Sequence, residues 1–189
     1  MERSVFVLLV LVLISLCKGL TTPYFCPIKP CPEFVLLETN HGFETRLYND
    51  MLWITTKIES DDVMAAHSKL KDFCERQRLA GYTIPDAWPV LITVIDDDMS
   101  WLSWFVPNGT AVASISDPYV TQETRPGGTV YVRKFSGYPS RDSGLQNAKK
   151  LCEDLTKAQK KFNANTFYGA GYEPIWSVIH HNEIWISAV

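Results

Sequence analysis

The chain has 189 residues, with 18 Lys and Arg against 21 Asp and Glu, a formal net charge of −3, and 46% hydrophobic residues. This length is typical of one domain with a substantial core. The acidic balance and the lack of a basic patch exclude nucleic acid as a partner, because phosphate binding needs clustered Lys and Arg.

The N-terminus predicts a secretory signal peptide. Glu2 and Arg3 precede an apolar run over residues 5–14. That run is shorter than the roughly 20 residues of a transmembrane helix and matches the roughly 7–15 residues of a signal-peptide core. We place the signal peptide at residues 1–19 and expect a secreted protein with no stable membrane insertion after cleavage. The alternative is an uncleaved membrane anchor.

Residues 20–33 form a segment rich in Cys and Pro, and the cysteines that follow the signal peptide are Cys26, Cys31, Cys74 and Cys152. An even number of cysteines suits an oxidising compartment. A disulfide between Cys26 and Cys31 would close a local loop and leave Cys74 to pair with Cys152. In the alternative, Cys74 and Cys152 are buried thiols that pack as small apolar residues.

Two segments have the apolar periodicity of amphipathic helices. In residues 61–79 apolar positions recur at steps of three and four, and Gly81 ends the pattern. Ser60, Asp61 and Asp62 supply the cap and first-turn acids. In residues 143–162 one face is apolar, and the late lysines suit the negative C-terminal end of a helix.

Most other segments predict strands, because they are short, rich in β-branched and aromatic residues and separated by turn residues. The predicted strands are 34–38, 43–48, 52–58, 89–95, 99–106, 130–135, 174–180 and 183–188. We expect hairpin tips at residues 96–98 and 181–182. The sequon Asn108-Gly109-Thr110 follows the fifth of these strands, and we expect Asn108 to carry a glycan in a loop.

An internal repeat organises these elements. The strand at 44–48 before the first helix parallels the strand at 131–135 before the second, and each half ends in a hairpin, at 89–106 and 174–188. The sequence therefore predicts an α+β domain over residues 34–189. In it, duplicated strand–helix–hairpin units form a strongly curved antiparallel sheet or distorted β-barrel flanked by two α-helices.

Six short motifs span this domain. They are ETRLY at 44–48, WITT at 53–56, SWFVP at 103–107, VYVRKFSGY at 130–138, GAGYEPIW at 169–176 and HNEIWI at 181–186. In their order and spacing they resemble the SOUL haem-binding protein family. The resemblance implies an open curved sheet or distorted barrel flanked by two helices, and haem or another tetrapyrrole as the ligand.

The resemblance also implies a porphyrin site in the groove beside the first helix. His67 is there the first candidate for an axial iron ligand, since imidazole is a common metal ligand. Helical periodicity places His67 on the stripe of Val63 and Leu70, with Met64 turned about 100° away. In the alternative, His67 is a hydrogen-bonded packing residue. Some relatives have a proposed histidine ligand where this chain has Leu47, so that ligand does not carry over.

Four further residues are candidates for haem binding: Arg46, Arg133, His180 and His181. A guanidinium fork binds carboxylates such as haem propionates. In the alternative, each arginine pairs with an internal acid such as Glu183, because a charge buried in a sheet needs a partner. Neighbouring histidines on a strand face opposite sides, so at most one of the two faces a given ligand.

The sequence contains no Gly-x-Ser-x-Gly elbow, no phosphate-binding glycine loop and no His-Glu-x-x-His motif. We therefore expect a monomeric, non-catalytic carrier or scavenger of haem or another tetrapyrrole, with a mainly hydrophobic site. One alternative is an enzyme on the same scaffold that acts on tetrapyrroles or small hydrophobic compounds through Asp86, Glu183 or His181. Another is a protein-interaction module with vestigial haem binding.

Overall fold

The computed structural model describes residues 19–26 and 29–189 of the chain. The predicted signal peptide lies outside these residues, apart from Gly19. The described strands are β1 (Phe34–Asn40), β2 (Phe43–Tyr48), β3 (Met51–Lys57), β4 (Val90–Ile95), β5 (Asp98–Val106), β6 (Val120–Arg125), β7 (Gly128–Ser136), β8 (Thr166–Gly171) and β9 (His181–Ser187). The described helices are α1 (Val63–Leu79) and α2 (Arg141–Lys157).

All nine described strands form one antiparallel sheet, in the order β1-β2-β7-β9-β8-β4-β5-β3-β6. Two units of the same topology meet at the β4–β8 pair. The unit β3–α1–β4–β5 lays its strands in the order β4-β5-β3, and the unit β7–α2–β8–β9 lays its strands in the order β8-β9-β7. This confirms the predicted α+β fold of duplicated strand–helix–hairpin units, and the sheet is open, with β1 and β6 at its edges.

The internal repeat was predicted with the wrong pair of corresponding strands. The strand that leads into α1 is β3, so the counterpart of β7 is β3 and not the ETRLY strand, which is β2. In the order of the sheet, β2 lies beside β7 and β6 lies beside β3. The counterpart of β2 is therefore β6, and Arg46 on β2 and Arg133 on β7 do not occupy equivalent strands.

One predicted strand and one predicted hairpin tip were wrong at the C-terminal end. Residues 174–180, predicted as a strand, form a turn-containing loop, because Pro174 cannot donate to a ladder and the following side chains have no neighbouring strand to pack against. His181 and Asn182, predicted as a hairpin tip, begin β9. The predictions missed β8, whose glycines disfavour strands in general, and β6, whose polar sequence VTQETR suits a sheet edge.

The helix ends follow local capping. Asp62 caps α1 by accepting a hydrogen bond from the Ala65 backbone N–H at 2.9 Å. Ser140 and Ser143 form a reciprocal capping box before α2. The second helix ends at Lys157, five residues before the predicted end, where Gln159 adopts a positive φ of 54°.

The β4–β5 turn confirms the predicted tip at residues 96–98. Asp96 and Asp97 form a two-residue connection, and both have positive φ, 49° and 68°. A type I′ turn requires this geometry at both central residues, and Asp is among the residues that accept it. Asp98 is the first residue of β5.

Both helices pack on one face of the sheet. The strand residues that alternate with the helix contacts of both units form one common core on the other face. The buried apolar residues of α1 are Ala66, Leu70 and Phe73, and those of α2 are Ala148, Leu151 and Leu155. We call the opposite side of the sheet the helix-free face. Phe25, Cys26 and Cys31 of the N-terminal segment pack against the core of that face.

The predicted disulfide between Cys26 and Cys31 is confirmed. Among the described residues Cys74 and Cys152 are free and half-buried, so the alternative of packing thiols holds for them and the second disulfide does not. Cys74 packs in the core under α1 and Cys152 in the core under α2, so the two thiols belong to different clusters. None of the described helices is long and apolar enough to cross a membrane.

Candidate functional site

Four of the sequence-predicted haem-binding residues lie on α1, and they differ in how far they are exposed. His67 is exposed, and Met64 is 62% exposed. Val63 is half-buried over the core, and Leu70 is completely buried beneath the helix. His67 is thus at the edge of the apolar stripe rather than on it, and Leu70 supports the helix from below.

Trp104 of β5 lies beside this edge of the helix. Its ring stands edge-on to the His67 imidazole, with the ring centroids 5.1 Å apart. Trp104 points to the helix side of the sheet because it alternates with Ser103 and Phe105, which point to the helix-free face. The Trp104 Nε1 atom is buried and has no hydrogen-bond partner in the part of the chain that the structure describes. It is a donor without an acceptor beside an accessible imidazole.

A strip along α1 continues from His67. Met64, His67 and Lys71 follow one another at steps of three and four residues, so they lie on one side of the helix. Lys71 is exposed and has no ion-pair partner among the described residues. We call Met64, His67, Lys71 and Trp104 the α1 strip.

Cys74 lies one step beyond the strip. Burial, with a smaller contribution from Asp86, raises the pKa of the Cys74 thiol to about 11. The thiol is therefore protonated at neutral pH, and a protonated thiol is a poor iron ligand compared with a neutral imidazole. His67 is the stronger donor on this side of α1.

Arg46 is buried on the helix-free face and is fully bonded within the protein. Its guanidinium donates to both carboxylate oxygens of Glu183, at 2.8 and 3.1 Å, twice to Glu44, at 2.7 and 2.9 Å, and to the Tyr48 hydroxyl at 3.0 Å. These five bonds use all five N–H groups of the side chain. Arg46 has no donor left for a ligand carboxylate.

Glu183 is equally enclosed by donors. The Tyr172 hydroxyl and the Trp185 Nε1 each donate to its Oε2 atom at 2.7 Å. Burial raises the pKa of Tyr172 well above its ordinary value, so this hydroxyl stays protonated and donates. Burial alone would lower the pKa of Arg46, but the charge of Glu183 holds it above its ordinary value. The predicted pairing of Arg46 with Glu183 is confirmed, and the pair is structural.

Arg133 serves a different contact on the opposite face of the sheet. It donates to Asn147 Oδ1 at 3.1 Å and Asp154 Oδ2 at 3.3 Å on α2, and to the Gly42 carbonyl at 3.2 Å. Arg133 thereby ties α2 to β7 and to the β1–β2 turn. The two predicted arginines do not converge on one carboxylate site.

His180 and His181 have different contacts, and only His181 lies on a strand, so the predicted alternation along one strand does not apply to the pair. His180 is buried against Tyr138, with ring centroids 5.6 Å apart, and its Nε2 has no hydrogen-bond partner among the described residues. The His181 ring stacks on Phe25 at 4.6 Å, and its Nδ1 contacts Glu173. These ring contacts belong to the N-terminal segment and the β8–β9 loop and not to α1.

The remaining predicted residues lie apart. Asp86 is exposed and pairs with Lys29 at 3.1 Å, so the three residues of the enzyme alternative have three separate sets of partners. Asn108 is exposed in the turn that follows β5, next to a cleft of about 340 Å³ beside the Cys26–Cys31 disulfide. Within residues 19–26 and 29–189, no group of three or more His, Cys, Asp and Glu side chains could hold a metal ion.

Sequence reasoning missed two members of the α1 strip. Lys71 follows His67 by four residues, so helical spacing alone could have identified it. Trp104 was part of the quoted SWFVP motif, and strand alternation with Leu102 and Val106 would have turned it toward the helix. What the sequence lacked was the packing of α1 over β5, which only the fold supplies.

The structure defines an α+β protein with an open antiparallel sheet built from two strand–helix–hairpin units. His67 of α1 is exposed beside the indole of Trp104 on β5. The family model "SOUL heme-binding protein" matches residues 29–187, and the chain belongs to this family. Membership supports haem or another tetrapyrrole as the ligand.

Two curated relatives carry the name Heme-binding protein 2. The protein of Mus musculus is 26% identical over 160 residues, and that of Homo sapiens is 24% identical over 160 residues. Each alignment covers 77% of this chain and 77% of the relative.

Two solved structures show weaker similarity. A putative bacterial transcription regulation protein from Staphylococcus aureus MU50 has 13% identity and a TM-score of 0.44, covering 77% of this chain and 97% of that chain. SAV2435 bound to tetraphenylphosphonium has 11% identity and a TM-score of 0.44, covering 78% of this chain and 93% of that chain.

Proposed function

We propose that the chain is a secreted, monomeric and non-catalytic carrier of haem or another tetrapyrrole, and that the α1 strip is its site. The observation that carries the proposal is the accessible His67 imidazole edge-on to Trp104, in a member of a haem-binding family. A tetrapyrrole needs an apolar surface, a cation for its propionates and, for iron, an axial ligand.

The α1 strip fits each of these needs. The His67 imidazole would hold the iron, and the exposed thioether of Met64 and the Trp104 indole would pack on the macrocycle. The Lys71 ammonium is placed one helical turn further on, where it can reach a propionate. The bound group would supply iron chemistry if any were needed, while the protein would bind and orient it.

The separate partners of Asp86, Glu183 and His181 support a non-catalytic role. Glu183 is enclosed by Arg46, Tyr172 and Trp185, and its carboxylate oxygens are already accepting hydrogen bonds. His181 contacts Glu173, and Asp86 is exposed beside Lys29. No shared contact brings these three groups to one reacting atom.

The secreted role rests on three features. Residues 5–14 have the length of a signal-peptide core, Cys26 and Cys31 form a disulfide, and Asn108 is exposed in a turn where a glycan faces water. Expression of the tagged full-length chain in cultured cells tests this role. We expect glycosylated protein in the medium and loss of the glycan in the Asn108→Gln variant. Retention of all the protein inside cells would contradict secretion.

A haemin titration followed by Soret absorbance tests the site. We expect a saturable one-to-one change, and a weaker, spectrally altered complex for His67→Ala. The matched control is His41→Ala, since His41 is an exposed histidine outside α1. Metal-free protoporphyrin is expected to bind the wild type more weakly than haemin but the His67→Ala variant about equally. No saturable change with either compound would overturn the proposal.

A further inference from the structure

A second polar cluster lies on the helix-free face, in the half of the sheet formed by β4, β5, β3 and β6. Arg125 of β6 reaches across this half, with its guanidinium 5.2 Å from the Trp53 ring centroid and 5.1 Å from the Tyr168 ring centroid. Its Nε donates to Glu123 at 2.8 Å and its Nη2 donates to the Ser103 hydroxyl at 2.9 Å. The Arg125 side chain is 15% exposed.

Three buried polar atoms on this half of the helix-free face have no hydrogen-bond partner within residues 19–26 and 29–189. They are Arg125 Nη1, Trp53 Nε1 and Thr93 Oγ1. Trp53 is completely buried and Thr93 is 5% exposed, and Thr93 lies opposite Tyr168 in the β4–β8 register. Buried polar groups in folded proteins are nearly always hydrogen-bonded, so these three atoms on one half of the helix-free face are available to an acceptor from a ligand or from water.

The other half of the sheet shows what such an acceptor would be. The corresponding strands in the two halves are β2 and β6, and β9 and β5. In one half, Arg46 from β2 reaches the carboxylate of Glu183 on β9. In the other half, Arg125 from β6 reaches only the hydroxyl of Ser103 on β5. The first arginine has all its donors satisfied by carboxylates and a tyrosine, and the second keeps one nitrogen unpaired.

We propose that this cluster, named the Arg125 site, binds the carboxylate of a flat aromatic ligand. The carboxylate accepts hydrogen bonds from Arg125 Nη1 and Trp53 Nε1, a charge-assisted pairing of the kind that guanidinium groups favour. The ligand ring packs along Tyr168 and Trp101. Trp101 is 38% exposed and lies opposite Thr93 in the β4–β5 register.

The Arg125 site is distinct from the α1 strip. Ser103, which contacts Arg125, and Trp104, which contacts His67, are consecutive residues of β5 and point to opposite faces of the sheet. A haem propionate and a small aromatic acid share the chemistry that this site recognises.

The readout is the indole N–H resonance of Trp53 in the ¹⁵N-labelled chain produced in a secretory host, assigned by its loss in Trp53→Phe. The probe is 2-naphthoate, and methyl 2-naphthoate is the uncharged control. We expect a saturable shift with the acid and none with the ester. Arg125→Met should weaken the acid about tenfold or more, because a charge-assisted hydrogen bond is lost. Arg78→Met is the matched control, since Arg78 is exposed on α1.

Thr93→Val is a second variant that preserves side-chain shape while removing the unpaired hydroxyl. We expect it to remain folded and to bind the acid with unchanged affinity, because the carboxylate accepts its hydrogen bonds from Arg125 Nη1 and Trp53 Nε1. Competition by haemin for the Trp53 shift would support the site and identify a propionate as the carboxylate, whereas a haemin Soret complex without competition would support a separate small acid.

The proposal is overturned if 2-naphthoate leaves the Trp53 resonance unmoved, if the ester acts equally, or if a folded Arg125→Met variant binds unchanged. Ordered water would then satisfy the three atoms. A naphthoate response without any Soret change would leave the Arg125 site standing and remove the α1 strip as a haem site. A Soret change without a naphthoate response would leave the α1 strip standing as a haem site and remove the Arg125 site.

Discussion

Arg46 and Glu183, 137 residues apart in the chain, form a buried two-bond ion pair that joins β2 to β9 across the intervening strand β7. Both side chains are almost completely buried. Their charges are therefore stabilised mainly by each other and by the hydrogen bonds around them.

The first prediction concerns the loss of one partner of this pair. Arg46→Met should lower the free energy of unfolding by about 3–5 kcal/mol, because the buried Glu183 carboxylate would lose its compensating charge. Arg133→Met, which removes the partly exposed pair with Asp154, should cost no more than about 1 kcal/mol. Urea unfolding followed by tryptophan fluorescence measures both. Equal effects of the two substitutions would contradict the assigned burial.

The second prediction concerns pH. Burial would raise the pKa of Glu44, but hydrogen bonding by Lys134 and the charge of Arg46 hold it below its ordinary value of 4.5. The folded state therefore binds this proton less readily than the unfolded state. The stabilisation is present above pH 4.5 and is lost as the pH falls through the lower, folded pKa.

Unfolding curves at several pH values measure this dependence. The wild type should lose stability below pH 4.5, and the Glu44→Gln variant should show a shallower loss there. Glu153→Gln, an exposed substitution on α2, serves as the control. A Glu44→Gln profile parallel to that of the wild type would show that the carboxylate does not contribute.

The third prediction concerns the free thiols. With a pKa of about 11, Cys74 should react with iodoacetamide at pH 8 roughly 100-fold more slowly than a thiol of ordinary pKa, because only the thiolate reacts. Unfolding in urea should abolish this protection. Mass spectrometry of the alkylated chain gives the rate at each cysteine. Cys26 and Cys31 should stay unlabelled until a reductant is added, and labelling before reduction would show an open disulfide.

The fourth prediction distinguishes a residue of α1 that stabilises the fold from one that would contact haem. Leu70→Ala should lower the free energy of unfolding by about 2–5 kcal/mol, since it empties a fully buried position. It should leave the haemin affinity of the folded protein nearly unchanged. Met64→Ala should weaken haemin binding and leave the free energy of unfolding nearly unchanged, because Met64 is 62% exposed on the α1 strip. Thermal unfolding and haemin titration of the same two variants give the comparison, and a stability loss in Met64→Ala would show that its side chain packs.

The fifth prediction concerns the β8–β9 loop, where Trp176 is 83% and Val178 is 99% exposed. Trp176→Ser and Val178→Ser should change the free energy of unfolding by no more than about 0.5 kcal/mol, as is usual for exposed positions. Thermal unfolding of each variant tests this. A loss of several kcal/mol would mean that the loop folds back onto the sheet in solution.

The sequence predicted those features that local pattern determines. Apolar periodicity located both helices to within a few residues at their starts, and the ordered motifs identified the family and the duplicated fold. The pairing of Arg46 with Glu183 also followed, because a charged residue inside a strand needs a partner.

The sequence failed where tertiary packing overrode local preference. The strand β8 contains Gly169 and Gly171, which disfavour strands, and it forms because β4 and β9 pair with it on both sides. The polar strand β6 gave no apolar signal. Because β6 carries Arg125, the Arg125 site was invisible without the knowledge that β6 lies beside β3.

The exchange of outer strands between the two units has a consequence for folding. The strand β2 precedes the first unit but completes the ladder of the second, and β6 precedes the second unit but completes the ladder of the first. Neither unit obtains all the strands of its ladder from a contiguous stretch of chain. A cut in the connection between β5 and β6 therefore separates β3 from its partner β6 and β7 from its partner β2. We therefore expect the duplicated halves to fold together as one unit. The many contacts between residues distant in the sequence favour slow acquisition of the native topology.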